Sequence, residues 1–142
     1  MIAQLIDPAH YAFNPYAVPT FTAAAAMLIL GLAVLIRERA TLLSASFMVM
    51  AMTIAVWLVG FSMMYIAADQ AVRLWWARAA YVGVPLIPPA VYHFAVVVLG
   101  LAERRRPLVR VAWGLGIVLA AASVLTGALI EDLYRYWWGY YP

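Results

Sequence analysis

The chain contains no cysteine and no lysine. Lack of cysteine excludes a disulfide framework, a thiolate metal site and a cysteine nucleophile. Lack of lysine leaves arginine as the whole basic complement, nine residues for a net charge of +3. Carboxylates are scarce as well: Asp7, Glu38, Asp69, Glu103, Glu131 and Asp132 complete the set, and none lies in the middle of an apolar run. A proton-driven pump or transporter usually carries a buried carboxylate within a span, so that class is disfavoured. Phosphate-binding Walker loops, dinucleotide fingerprints, HExxH zinc motifs and nucleophile elbows are all missing. Nothing in the sequence points to catalysis, and no cofactor or metal is expected.

What is present is hydrophobic. Apolar residues make up 68% of the chain against 11% charged, where water-soluble domains run to about 45–50% apolar. A soluble fold could not cover so much apolar surface with so few charges. Four long apolar runs account for nearly all of it: Val18–Ile36, Leu42–Ala67, Trp75–Leu101 and Leu108–Ile130. A bilayer core of about 30 Å needs about 20 apolar residues of helix to cross it, and each run is long enough. The expected fold is therefore all-α, an integral membrane bundle of four transmembrane helices. Residues 1–17 form a lead-in and residues 18–142 the membrane region.

Arginine placement sets the expected orientation. Arg37, Arg39, Arg104, Arg105, Arg106 and Arg110 flank the connections after the first and third runs, while Arg73, Arg78 and Arg135 fall toward the other side. By the positive-inside rule the N-terminus lies outside and both arginine-rich connections are cytoplasmic. The lipid bilayer is thus the first partner, and a nucleic-acid partner is not expected because the arginines follow span ends rather than one basic face. The opening residues lack a basic n-region and a small-residue cleavage site, so the first run reads as a signal-anchor.

Along the chain, Pro8, Asn14, Pro15 and Pro19 punctuate an extended or loosely turned lead-in, and Tyr11, Phe13 and Tyr16 suit the headgroup region. Ala23–Met27 gives the first run a small-residue surface for close helix approach. Methionines cluster in the second run (Met48, Met50, Met52, Met63, Met64) as adaptable packing. The third run is the unusual one. It opens on Trp75 and Trp76, carries Arg78, and holds Pro85, Pro88 and Pro89 mid-way, where a kink is expected.

At helical spacing Arg78, Tyr81, Pro85, Pro88 and Tyr92 share a stripe, with His93 about 100° round from Tyr92. One reading makes this face a ligand pocket or a signalling helix. The other has Arg78 snorkelling to the outer surface and His93 satisfied by a neighbouring backbone carbonyl. His10 and His93, the only histidines, lie too far apart to share a metal or a haem.

The segment around the second and third runs resembles a known family. A span like Ala55-Val56-Trp57-Leu58-Val59-Gly60 is followed by Trp76-Ala77-Arg78, Tyr81-Val82-Gly83, Pro88-Pro89 and His93-Phe94. An arginine-rich inner loop and Trp138-Gly139-Tyr140-Tyr141-Pro142 complete the pattern. It is similar to the N-terminal seven-helix membrane input region of bacterial sensor histidine kinases and of some diguanylate cyclases.

The resemblance implies a signal-input module in the bacterial cytoplasmic (inner) membrane, serving a two-component receptor that homodimerises. This chain would supply the first four of seven spans. Further transmembrane helices and the kinase output would come from elsewhere, and Arg78, Tyr81, Pro88, Pro89, Tyr92 and His93 would form the ligand-facing or signalling face. The competing expectation is a small four-helix accessory subunit that anchors or stabilises a larger membrane complex. Half of an internally repeated transporter fits less well, because mid-span prolines occur in only one half.

Overall fold

A computed structural model describes residues 5, 7–125, 134–136 and 139–141. Five α-helices make four spans: α1 (Ala17–Arg37), α2 (Leu42–Ile66), α3 (Gln70–Gly83) running through a 3-10 segment (Val84–Leu86) into α4 (Ile87–Val98), and α5 (Ala102–Leu125). Four helical stretches, the third being Gln70–Val98, are long and apolar enough to cross a bilayer. A short antiparallel hairpin follows, β1 (Tyr134–Tyr136) and β2 (Gly139–Tyr141), with Arg135 opposite Tyr140. The expected end of the fourth run at Ile130 and the tail residues Trp138 and Pro142 lie outside the described residues.

Local chemistry sets the helix ends. At the start of α1, Thr20 and Thr22 return their hydroxyls to the carbonyls of Ala17 and Val18 at 3.0 and 2.9 Å, so each hydroxyl finds its partner within its own helix. Thr41 caps α2 by accepting the Ser44 N–H. Asp69 does the same for Ala71 at the start of α3. Gly100, at φ +68°, stops α4 in the left-handed conformation that glycine adopts without a Cβ clash.

Two expected boundaries are corrected by these signals. The third span opens at Gln70, not Trp75, because Asp69 starts the helix before the tryptophans. The fourth opens at Ala102, not Leu108, since Gly100 leaves almost no loop and Glu103–Arg106 are already helical. Pro107 is tolerated in the second turn because the helical bond it removes belongs to the Glu103 carbonyl, at the wet end of the helix.

Glycine and serine set the packing. A Cβ built on Gly60 of α2 would lie 2.6 Å from Ala80 Cα of α3, so these two helices touch backbone to backbone. Around that crossing sit buried Phe61, Met64, Ala77 and Ala80, with Trp57, Tyr65, Trp76 and Tyr81 packed against them. Between α1 and α2, Ser62 Oγ lies 2.6 Å from Thr20 Oγ1, a polar contact inside the membrane region.

The spans follow one another in a row. α1 packs on α2, α2 on α3 and α4, and α5 on the third span, while α1 and α5 make no extended contact with each other among the described residues. The free flanks are apolar: Ile29 and Ile36 on α1 are 67% and 70% exposed, and Val111 and Val118 on α5 67% and 64%. Such a surface needs lipid or other membrane helices against it.

Candidate functional site

The proline-rich third span is the centre of the candidate site, and its carbonyls explain its shape. Pro85, Pro88 and Pro89 have no N–H to give the carbonyls of Tyr81, Val84 and Pro85, their helical partners four residues back. The chain answers by tightening. Ile87 N–H bonds the Val84 carbonyl three residues back, closing the 3-10 turn. The Pro85 carbonyl faces Gly116 of α5, where a Cβ would intrude to 2.8 Å. The expected kink is thus realised as a three-residue 3-10 insert, with helical backbone continuing on both sides.

On the N-terminal side of this insert the third span is held by the lead-in. The extended or loosely turned lead-in expected there forms a strap, with Tyr11 in extended conformation paired to Ala67. Pro8–His10 make one 3-10 turn, Ala12 N–H bonds the Ile66 carbonyl at 2.7 Å, and Ala68 N–H bonds the His10 carbonyl at 2.8 Å. Asn14 reaches the Tyr65 carbonyl at 3.0 Å. Trp76 Nε1 donates to Tyr11 Oη at 2.9 Å, and that hydroxyl donates to the Leu5 carbonyl at 2.7 Å. His10 stands 3.9 Å from Asp69. Arg73 binds the carbonyl of buried Ala67 through Nε and Nη2 at 3.1 and 2.7 Å, closing the end of α2. Trp76 and Ala79 also line a cleft of about 350 Å³ with Leu28 of α1 and Met52, Val56 and Gly60 of α2. Its walls are apolar throughout.

The six sequence-nominated residues divide between two places. Arg78 and Tyr81 lie on α3, Tyr81 with its ring 6.1 Å from that of Phe61 and Arg78 half-buried with its Nε inside the fold. Pro88 is exposed while Pro89 is buried against Gly116. Tyr92 is half-buried on α4. His93 lines a second cleft of about 290 Å³ at the arginine-rich end, together with Leu42, Glu103, Arg106 and Arg110. It makes no hydrogen bond to a carbonyl among the described residues, unlike the second sequence reading. Phe94 beside it packs on Phe47 of α2, ring centres 5.5 Å apart. The stripe residues thus fall on both sides of the 3-10 insert, with His93 beside the arginine-rich cleft.

The family model describing the N-terminal 7TM region of histidine kinase matches residues 19–141, which takes in the four spans from Pro19 onward but not the strap at residues 8–14. The chain belongs to that family. The matched region is the input part of such kinases, not their catalytic part, so the chain is a multi-pass membrane protein of the sensor histidine kinase class. Comparison with curated proteins and with solved structures gave no match. Sequence reasoning identified the third span but missed the strap and the neighbours of His93. The partners of Tyr11 and Asn14 lie 65 and 51 residues away, and no local pattern encodes them.

Proposed function

We propose that this chain is the front part of a signal-input module, its four spans corresponding to the first four of the seven-span region. It senses a stimulus at the strap end and passes a displacement of the third span to the arginine-rich end. The observation that carries this reading is the 3-10 insert at Val84–Leu86, which separates a strap-bound half from a half ending at a polar cleft. Residues in a 3-10 turn rise about 2.0 Å and turn about 120° each, against about 1.5 Å and 100° in an α-helix. Converting three residues from one form to the other moves α4 by about 1.5 Å and rotates it by about 60° relative to α3. The missing proline N–H groups hold the α form slightly above the 3-10 form, and an element with two close-lying states is what a switch needs.

In this reading the N-terminus and strap face outward, and Arg37, Arg39 and Arg104–Arg106 face the cytoplasm of a bacterial cell. The bare apolar flanks of α1 and α5 receive further spans of the receptor or of its homodimeric partner. Arg78, Tyr81, Pro88, Pro89, Tyr92 and His93 act as the transmitting face. Family membership favours this over an anchoring subunit of an unrelated complex.

The test is a chimera in which these four spans replace the corresponding ones of another seven-span kinase of the family, with autophosphorylation as the readout. The expected result is a membrane-inserted kinase whose activity shifts when Pro88 and Pro89 are replaced by Ala. An inserted chimera with phosphorylation indifferent to those changes overturns the switch. Orientation is tested separately. Because the chain has no cysteine, Ala68→Cys and Arg39→Cys report cleanly to an impermeant maleimide on intact cells, with labelling expected for the first alone.

A further inference from the structure

From the charge and shape of the cleft at the arginine-rich end, we infer that it is a binding site for the phosphate headgroup of an anionic phospholipid. The cleft is walled by His93 of α4 and by Glu103, Arg106 and Arg110 of α5, beside Leu42 at the start of α2. Glu103 already stands 3.8 Å from Arg106. Its single negative charge is set against Arg104, Arg105, Arg106 and Arg110 on the same two turns. Among the described residues neither the Arg110 nor the His93 side chain makes a hydrogen bond or an ion pair. The site therefore presents unspent guanidinium and imidazole N–H donors and a net positive charge, the complement of a phosphate oxyanion.

Depth and surroundings select a lipid over a soluble anion. His93 lies five residues before the end of α4, so the cleft reaches about 8 Å inward along that helix from its arginine-rich mouth. That is the level at which headgroup gives way to acyl chain. Gly114 and Ile117 follow Arg110 by four and seven residues, on the same face of α5. Gly114 has open space where a side chain would stand, and Ile117 is 57% exposed. A phospholipid can place its phosphate on Arg106, Arg110 and His93 while one acyl chain lies along Gly114 and Ile117. Basic pockets between membrane helices take anionic headgroups in this way. The inference concerns lipid binding alone and stands whether or not the chain transmits a signal.

The experiment uses the 142-residue chain in detergent, with native mass spectrometry after titration with phosphatidylglycerol or phosphatidylcholine. Retention of phosphatidylglycerol over phosphatidylcholine is expected. Arg106→Gln with Arg110→Gln should weaken that retention by about tenfold, whereas Arg104→Gln with Arg105→Gln, equal in charge change but outside the cleft, should leave it within about twofold. Far-UV circular dichroism checks that both variants stay helical, as exposed positions should allow. His93→Gln, which keeps an N–H donor, should bind better than His93→Leu. Equal loss in the two arginine pairs would show a diffuse basic surface and overturn the site. Displacement of the lipid by millimolar inorganic phosphate would show a soluble-anion site and overturn the lipid assignment.

Discussion

Gly116 of α5 lies directly against the Pro85 carbonyl of the third span: a Cβ on that glycine would stand 2.8 Å from the oxygen and 2.9 Å from Pro89 Cγ. The contact puts a bare Cα–H beside a carbonyl that Pro89 cannot serve, and such C–H···O contacts recur where membrane helices approach closely. Gly116→Ala should therefore wedge α5 away from the 3-10 segment and destabilise the fold by about 1–3 kcal/mol. Gly114→Ala, one half-turn away in open space, should be neutral or stabilising by up to about 1 kcal/mol. Thermal unfolding in detergent separates the two. Equal midpoints would mean that the helices do not meet at Gly116.

The three prolines are not interchangeable. Pro88 is exposed, and its absent N–H is what frees the Val84 carbonyl for Ile87, whereas Pro89 is buried on α5. Pro88→Ala restores an α-helical donor without losing packing, so the 3-10 segment should relax toward α. Spin labels at Ala71→Cys and Val91→Cys, both exposed positions on this span, should then approach one another by about 1.5 Å. Pro89→Ala should instead lower stability by opening space beside Gly116. An unchanged label distance in Pro88→Ala would show that the other two prolines alone set the geometry.

Much of the fold could be read in the residues because lipid imposes its pattern on the whole chain. The first two spans start and stop within a residue of the apolar runs, as α1 spans Ala17–Arg37 and α2 Leu42–Ile66. The third and fourth begin five or six residues early, because Asp69 and Gly100 act on backbone geometry that hydropathy does not register. The proline stretch was visible as a site of irregularity, but not its form, which depends on where α5 places Gly116. His93 was visible as a polar group in a span. Its neighbours were not, since Glu103, Arg106 and Arg110 reach it only through the turn at Gly100.

The strap makes a separate prediction. Tyr11 Oη is both acceptor for Trp76 Nε1 and donor to the Leu5 carbonyl, so one hydroxyl ties the lead-in to the third span. Tyr11→Phe keeps the ring and removes both bonds. The expected cost is about 1 kcal/mol per bond, read as faster proteolysis within the lead-in. Asn14→Ala, which removes the bond to the Tyr65 carbonyl, should add to this effect. A lead-in equally resistant in both variants would place its attachment in the backbone bonds of Ala12 and Ala68 alone.

The two connections at the arginine-rich end solve the same problem with different residues. After α4 the left-handed position is Gly100, but after α1 it falls on Arg39 and Ala40, at φ +50° and +55°. There the backbone closes through Arg39 N–H to the Ile36 carbonyl and Ala40 N–H to the Leu35 carbonyl, at 3.3 and 2.9 Å. A residue with a Cβ pays roughly 1–2 kcal/mol to sit in this region, partly offset when glycine replaces it because the unfolded chain gains freedom. Ala40→Gly should thus raise stability by up to about 1 kcal/mol, and Gly100→Ala should lower it by a similar amount although open space surrounds it. Thermal midpoints of the two variants in one detergent test both signs. Should Ala40→Gly lower the midpoint instead, the strained turn would be ruled out as a source of instability, and the tight join of α1 to α2 would rest on Arg39 alone.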